Sequence, residues 1–188
     1  MPELPAGDPA PADGGLPGGL DWDHPLRAYV HVPFCTVRCG YCDFNTYTAG
    51  ELGGLHTDAY VTAVRREVDL AHRVTRPQPL ASVFIGGGTP SLLPPPELAL
   101  LIGALRDGFG LEPEAEVTLE ANPANVTGQA LDAWLAAGVN RLSLGMQSAD
   151  PAALRVLDRV HTPGRAQAAA RQARAAGFGH VSLDLIYG

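Results

Sequence analysis

Three cysteines, Cys35, Cys39 and Cys42, fall within eight residues, and the 188-residue chain has no others. A C-x₃-C-x₂-C run supplies three thiolates from one tight loop. A [4Fe-4S] cube has four irons, so three thiolates leave one iron open to a small-molecule ligand. Structural zinc sites usually join two separated ligand pairs, and no second pair exists here. The spacing is therefore more at home around an iron–sulfur cube. A zinc ion completed by His31 or His24, and three incidental buried thiols, are the alternatives. The Cys-x-x-Cys-His attachment motif is absent, so covalent haem of that kind has no support.

Other residues able to do chemistry recur at regular places. The pattern predicts strands over 27–33, 80–85, 116–120, 139–144 and 181–186, and helices over 57–72, 96–109, 128–137, 151–157 and 162–176. The first helix carries its apolar face at Tyr60, Ala63, Val64, Val68 and Ala71. Thr127 is an N-cap and Gly138 a stop for the helix over 128–137, where Leu131, Trp134 and Leu135 read as packing. Strand–helix alternation with short connections means parallel strands and right-handed crossovers. The cysteine loop, Gly86 to Thr89, Glu120 to Asn122, Gln147 and Asp184 all fall at or near the C-terminal ends of successive strands. In a barrel these positions share one mouth, whereas an open doubly wound sheet would disperse them. The expectation is α/β, an incomplete barrel of about five parallel strands. A closed barrel needs at least one more strand, so the chain reads as truncated at its C-terminus, with an exposed fifth strand.

Apolar residues make up 46% and charged residues 18%, which suits a packed domain. The net charge of −7 argues against nucleic acid as a partner, since neutralising phosphates needs clustered cations. All 13 cations are arginine. No apolar run approaches the roughly 18 residues of an integral membrane segment. Clustered thiols with no distant partners fit a reducing, cytoplasmic setting. Residues 1–21 are rich in Pro, Gly and Ala and are expected to form a flexible tail. The domain is expected to occupy 22–188.

The glycines at 86–88 admit a close backbone approach and could offer N–H groups to a carboxylate. A tight turn that binds nothing is the plain alternative. Glu120 could hold hydroxyls or an amine. For Tyr29 and Tyr41 the plain reading is packing, and for Arg159 a surface helix position. His31 and His161 are candidate haem ligands, set against ordinary hydrogen-bonded histidines.

The chain resembles the radical S-adenosylmethionine superfamily, in the branch of oxygen-independent coproporphyrinogen III oxidases and HemW-type haem chaperones. The likeness rests on Tyr29-Val30-His31-Val32-Pro33-Phe34-Cys35, Cys39-Gly40-Tyr41-Cys42-Asp43-Phe44-Asn45, the 84–93 segment around Gly86-Gly87-Gly88-Thr89-Pro90, Glu120-Ala121-Asn122-Pro123, the 138–148 segment ending in Gln147-Ser148, Arg159-Val160-His161 and Asp184-Leu185-Ile186-Tyr187-Gly188. It implies a (β/α)6-type partial barrel of which 22–188 is the N-terminal part, with a further strand and a smaller domain beyond. Cys35, Cys39 and Cys42 are then the cluster ligands, and S-adenosylmethionine meets the open iron through its methionyl amine and carboxylate. Tyr29, Tyr41, Gly87, Gly88, Thr89 and Glu120 match cofactor-binding positions. Gln147, Arg159 and Asp184 match positions around a second S-adenosylmethionine in the oxidase. The oxidase carries a fourth cysteine two positions past the third, where this chain has Phe44. The resemblance thus favours a chaperone that binds haem and passes it to an acceptor protein, free or membrane-associated; propionate decarboxylation is the alternative.

Overall fold

The computed structural model describes residues 11–18, 20–54, 56–159 and 162–187. The haem-ligand candidate His161 and residues 1–10 of the expected tail lie outside the described residues.

Five parallel strands form one sheet: β1 (Arg27–Val32), β4 (Leu80–Gly87), β5 (Leu111–Ala121), β6 (Arg141–Gln147) and β7 (His180–Leu185), adjacent in that order. Between the first two lies a small parallel pair, β2 (Phe34–Cys35) and β3 (Tyr47–Thr48). Four long crossover helices follow: α2 (Thr57–Val74), α3 (Pro95–Phe109), α4 (Gly128–Ala137) and α6 (Arg165–Ala176), with two short helices, α1 (Ala49–Leu52) and α5 (Pro151–Val156). Each strand pairs with the next in sequence, and the order never reverses. A doubly wound sheet has a reversal at its switch point. The architecture is a partial (β/α)6-type barrel.

The sequence explains most of these elements. Strand residues alternate faces, and Val30, Val32, Val83, Ile85, Val117, Leu119, Leu142 and Leu144 pack outward against the helices. The helices answer with Val68, Leu98, Leu101, Ile102, Leu105, Leu131 and Trp134. Helix α2 buries Val61 rather than the expected Ala63. Helix α6 packs through Ala166, Ala169 and Ala173. Thr127 Oγ1 accepts from Ala130 N–H at 3.1 Å, and Gly138 closes α4 at φ +100°.

Several boundaries differ from expectation. Gly86 and Gly87 stay in the ladder, opposite His31 and Val32, so β4 runs two residues past 85. Strand β5 begins at Leu111, not at 116. Leu80 pairs with Leu111 but Ser82 with Glu116, a bulge that holds Pro113 where no N–H is required. Helix α6 begins at Arg165 rather than 162, after Gly164 at φ +81°. Strand β6 ends in a kink: Gly145 pairs with Asp184 and Gln147 with Leu185, which leaves Met146 extra. Residues 11–18 contain no helix or strand, and Asp13 Oδ1 accepts from Gly15 N–H at 2.9 Å.

Trp134 is 2% exposed at the centre of the outer layer. Trp134→Ala should lower unfolding free energy by about 3–5 kcal/mol, read from denaturant unfolding.

Candidate functional site

The carboxyl ends of the strands enclose a cavity of about 280 Å³. Of the expected site residues, Cys35, Cys39, Tyr41, Cys42, Gly87, Gly88, Thr89, Glu120, Gln147, Arg159 and Asp184 line it. Tyr29 does not. Its ring is 59% exposed and stacks on Phe84 at 6.1 Å. Ser143, Gly145 and Asp158 line the cavity without having been singled out from the sequence. Alternation with the buried Leu142 and Leu144 was the signal for Ser143.

Backbone bonds dock the cysteine loop on the sheet. Gly88 N–H donates to Val32 O at 2.8 Å, Thr89 N–H to Phe34 O at 2.7 Å, and Tyr47 N–H to Pro33 O at 2.7 Å. Cys35 is thereby buried in β2, whereas Cys39 and Cys42 span a turn closed by Cys42 N–H to Cys39 O at 3.0 Å. Arg38 donates to Thr46 O at 2.6 Å and pairs with Glu51 at 3.0 Å, tying the loop to α1. That pair is exposed and screened by solvent, so it contributes little. His31 Nε2 lies 2.8 Å from Asn45 O. A carbonyl only accepts, so Nε2 carries the proton, and Nδ1 of the neutral ring accepts from Tyr29 O–H at 2.9 Å.

The glycines act by lacking side chains. A Cβ on Gly88 would stand 2.6 Å from Phe34 O and 2.9 Å from Cys35 Sγ; on Gly87, at φ +116°, it would stand 2.8 Å from Val32 O. Their N–H groups are already engaged, Gly87 with Glu120 Oε2 at 3.0 Å and Gly88 with Val32 O. What they offer a guest is bare backbone, not free donors.

Arg159 reaches the loop because of how α5 ends. Arg159 N–H bonds Leu154 O at 2.9 Å and Asp158 N–H bonds Arg155 O at 3.3 Å, with Asp158 left-handed at φ +53°. This is a Schellman cap with Asp in the place glycine usually takes. The turn sends Arg159 back to donate to Gly145 O at 2.6 Å and to Cys39 Sγ at 3.5 Å, while its buried Nε has no partner among the described residues. A Cβ at Gly145 would stand 2.8 Å from the guanidinium.

Burial raises the Cys35 thiol, against the lowering effect of the Thr89 hydroxyl. Burial also pushes Tyr41 up to about 12, with Arg159 opposing, so its phenol is neutral at physiological pH. Burial raises the Glu120 carboxyl; the Gly87 N–H opposes this and the Asp184 charge adds to it. Among the described residues no three His, Cys, Asp or Glu side chains converge on a point, as one metal ion requires. The thiols border a space instead. Three thiols on one cavity wall are a donor set that could hold a cluster with one thiolate per iron.

The sequence pattern of the family described as "Radical SAM superfamily" matches residues 29–188. The chain belongs to the radical SAM superfamily. It is closely related to HemW-type proteins: it is 53% identical to the heme chaperone HemW of Mycobacterium tuberculosis over 164 residues, 87% of this chain and 42% of that protein. It is 38% identical to HemW of Escherichia coli, over 87% of this chain and 43% of that protein. It therefore spans about two fifths of the length of these relatives. Among solved structures, coproporphyrinogen III oxidase (HemN) from E. coli superposes with a TM-score of 0.78 at 31% identity, over 87% of this chain and 37% of that one. The structure titled native anSMEcpe with bound AdoMet shares the fold at 15% identity and a TM-score of 0.54, over 86% of this chain and 43% of that one. No helix among the described residues is long and apolar enough to cross a membrane.

Two outcomes follow from this geometry. Gly88→Ala should cost about 1–3 kcal/mol, since a rigid carbonyl blocks the methyl, and thermal unfolding will read it. Glu120 titrates above its unfolded value, so the folded state holds a proton that the unfolded state has released. Stability then falls as pH rises from the ordinary carboxylate range, about 4, through the folded value, and the cost persists above it. Glu120→Gln should raise the Tm of the cofactor-free protein at neutral pH and leave it unchanged below that range, a difference that pH-resolved melting detects.

Proposed function

We propose that residues 22–188 form the N-terminal part of the core domain of a haem chaperone, holding a [4Fe-4S] cluster and S-adenosylmethionine, and that the whole protein passes haem to an acceptor protein in the cytoplasm or at a membrane surface. One observation carries the cofactor reading. Beside the three cysteines, the carboxyls of Glu120, Asp158 and Asp184 line the cavity against the single cation Arg159. Such a lining favours a ligand carrying more positive than negative charge. S-adenosylmethionine fits, with a sulfonium, an ammonium and one carboxylate.

The donors suit this pair of ligands. Cys35, Cys39 and Cys42 would take three irons; the bound cluster supplies an open iron for the methionyl amine and carboxylate. Glu120 has one oxygen held by Gly87 N–H and the other free to accept from the amine or a ribose hydroxyl. Asp184 has Oδ1 held by Ser143 Oγ at 2.8 Å and Oδ2 free for the same class of donor. Gly87 and Gly88 let the methionyl end lie flat on the sheet edge. The buried, unpartnered Nε of Arg159 is a donor for a carboxylate. Tyr41 and Gln147 also border the cavity and would offer the ligand a ring face and an amide. Tyr29 acts through His31, which it holds by its hydroxyl.

The HemW relatives and Phe44 support the chaperone reading. Phe44 stands, 65% exposed, where the oxidase branch has its fourth cysteine. Haem ligation is not assigned to His31, whose two nitrogens are engaged.

The full-length protein, reconstituted anaerobically with iron and sulfide, should show iron–sulfur absorbance that Cys39→Ala abolishes. A normal four-iron signal in that variant would reject the ligand set. The reconstituted protein should then take up haem and leave coproporphyrinogen III unchanged; turnover to protoporphyrinogen overturns the chaperone reading.

A further inference from the structure

The inward face of β5, β6 and β7 is polar, and its hydroxyls have only one consistent donor direction. Arg141 is a donor only. Its Nη2 donates to Ser182 Oγ at 3.2 Å and its Nη1 to Thr118 Oγ1 at 3.2 Å. Ser182 Oγ lies 3.0 Å from Ser143 Oγ, and Ser143 Oγ lies 2.8 Å from Asp184 Oδ1. An ionised carboxylate only accepts, so the Ser143 proton goes to Asp184. Ser182 must then donate to Ser143, with the Leu142 carbonyl its weaker option at 3.5 Å. The second branch obeys the same rule: Thr118 donates to Glu116 Oε1 at 2.9 Å, and Glu116 lies 3.6 Å from Arg141. Thr118 is fully buried and Ser143 is 6% exposed, so these two hydroxyls depend on protein partners.

We propose that Arg141, Ser182 and Ser143 form a directed hydrogen-bond chain through the barrel interior that positions the Asp184 carboxylate for its ligand at the cavity. Of the three, only Ser143 lines the cavity. Arg141 and Ser182 are therefore positioning residues acting through Asp184. In-register pairing places Ser143 beside Ser182 and Gly145 beside Asp184, so the Arg141–Ser182 and Ser143–Asp184 links each climb one pair towards the mouth and the Ser182–Ser143 link crosses between strands at one level. The proposal rests on Asp184 being a ligand for S-adenosylmethionine.

The test is a double-mutant cycle in the reconstituted full-length protein, with the Kd for S-adenosylmethionine as readout and Tm recorded beside it. Ser182→Ala should weaken binding about tenfold, the weight of one hydrogen bond to a charged group, and Ser182→Thr should restore it. In an Asp184→Asn background Ser182→Ala should cost nothing further, because the effect travels through Asp184. An equal loss in both backgrounds, or no loss in either, overturns the proposal. A crystal structure of Ser182→Ala separates the two readings. If the unaltered protein fails to bind S-adenosylmethionine, the cofactor reading fails by itself. An Asp184 side chain that keeps its rotamer in the variant crystal overturns the chain whatever the ligand.

Discussion

The cysteine loop depends on two backbone hydrogen bonds, from Gly88 and Thr89 to the carbonyls of Val32 and Phe34. They form only because Gly87 and Gly88, at and just past the end of β4, lie against Val32 and Phe34 with no Cβ between. A loop of three thiols closed by its own side chains would be mobile, since the Arg38–Glu51 pair contributes little. Main-chain bonds to a buried strand instead make the loop an extension of the sheet. Cys35 inherits the rigidity of the core, and its sulfur sits where a Gly88 side chain would have been.

The sheet divides two kinds of chemistry. Its outer face is continuous hydrocarbon from Val30 to Leu144, packed on four helices. Its inner face holds His31, Glu116, Thr118, Glu120, Arg141, Ser143, Ser182 and Asp184. Stability and site are therefore built on opposite sides of the same strands, and period-two alternation lets each be composed separately. The raised Glu120 carboxyl shows the cost: the site side opposes folding at neutral pH, and the hydrocarbon side offsets it.

Much of this was legible in the residues. The cysteine spacing, the glycine run and the polar strand ends are unlike a routine core, and eleven of the twelve expected site residues line one cavity. Tyr29 escaped because alternation gives the face of a side chain but not its depth along the barrel. The pair β2 and β3 has two residues per strand, too few to show a period. Pro113 hid the start of β5, since only a bulge makes proline acceptable there. Arg141, Ser143 and Ser182 lay within recognised strands, yet their meaning is a cross-strand relation that register alone reveals.

Gln147 shows how the mouth of the barrel is held. It closes a three-residue turn, with Ser148 N–H on Met146 O at 2.8 Å and φ +63°, while its own carbonyl accepts from Ile186 N–H at 3.0 Å. A side chain other than glycine in that conformation costs about 1–3 kcal/mol, and the bond to Ile186 keeps it there. The bond to Ile186 thus holds both the turn that ends β6 and the residue whose side chain lines the cavity, so the rim of the site and the pairing of the last two strands share one contact.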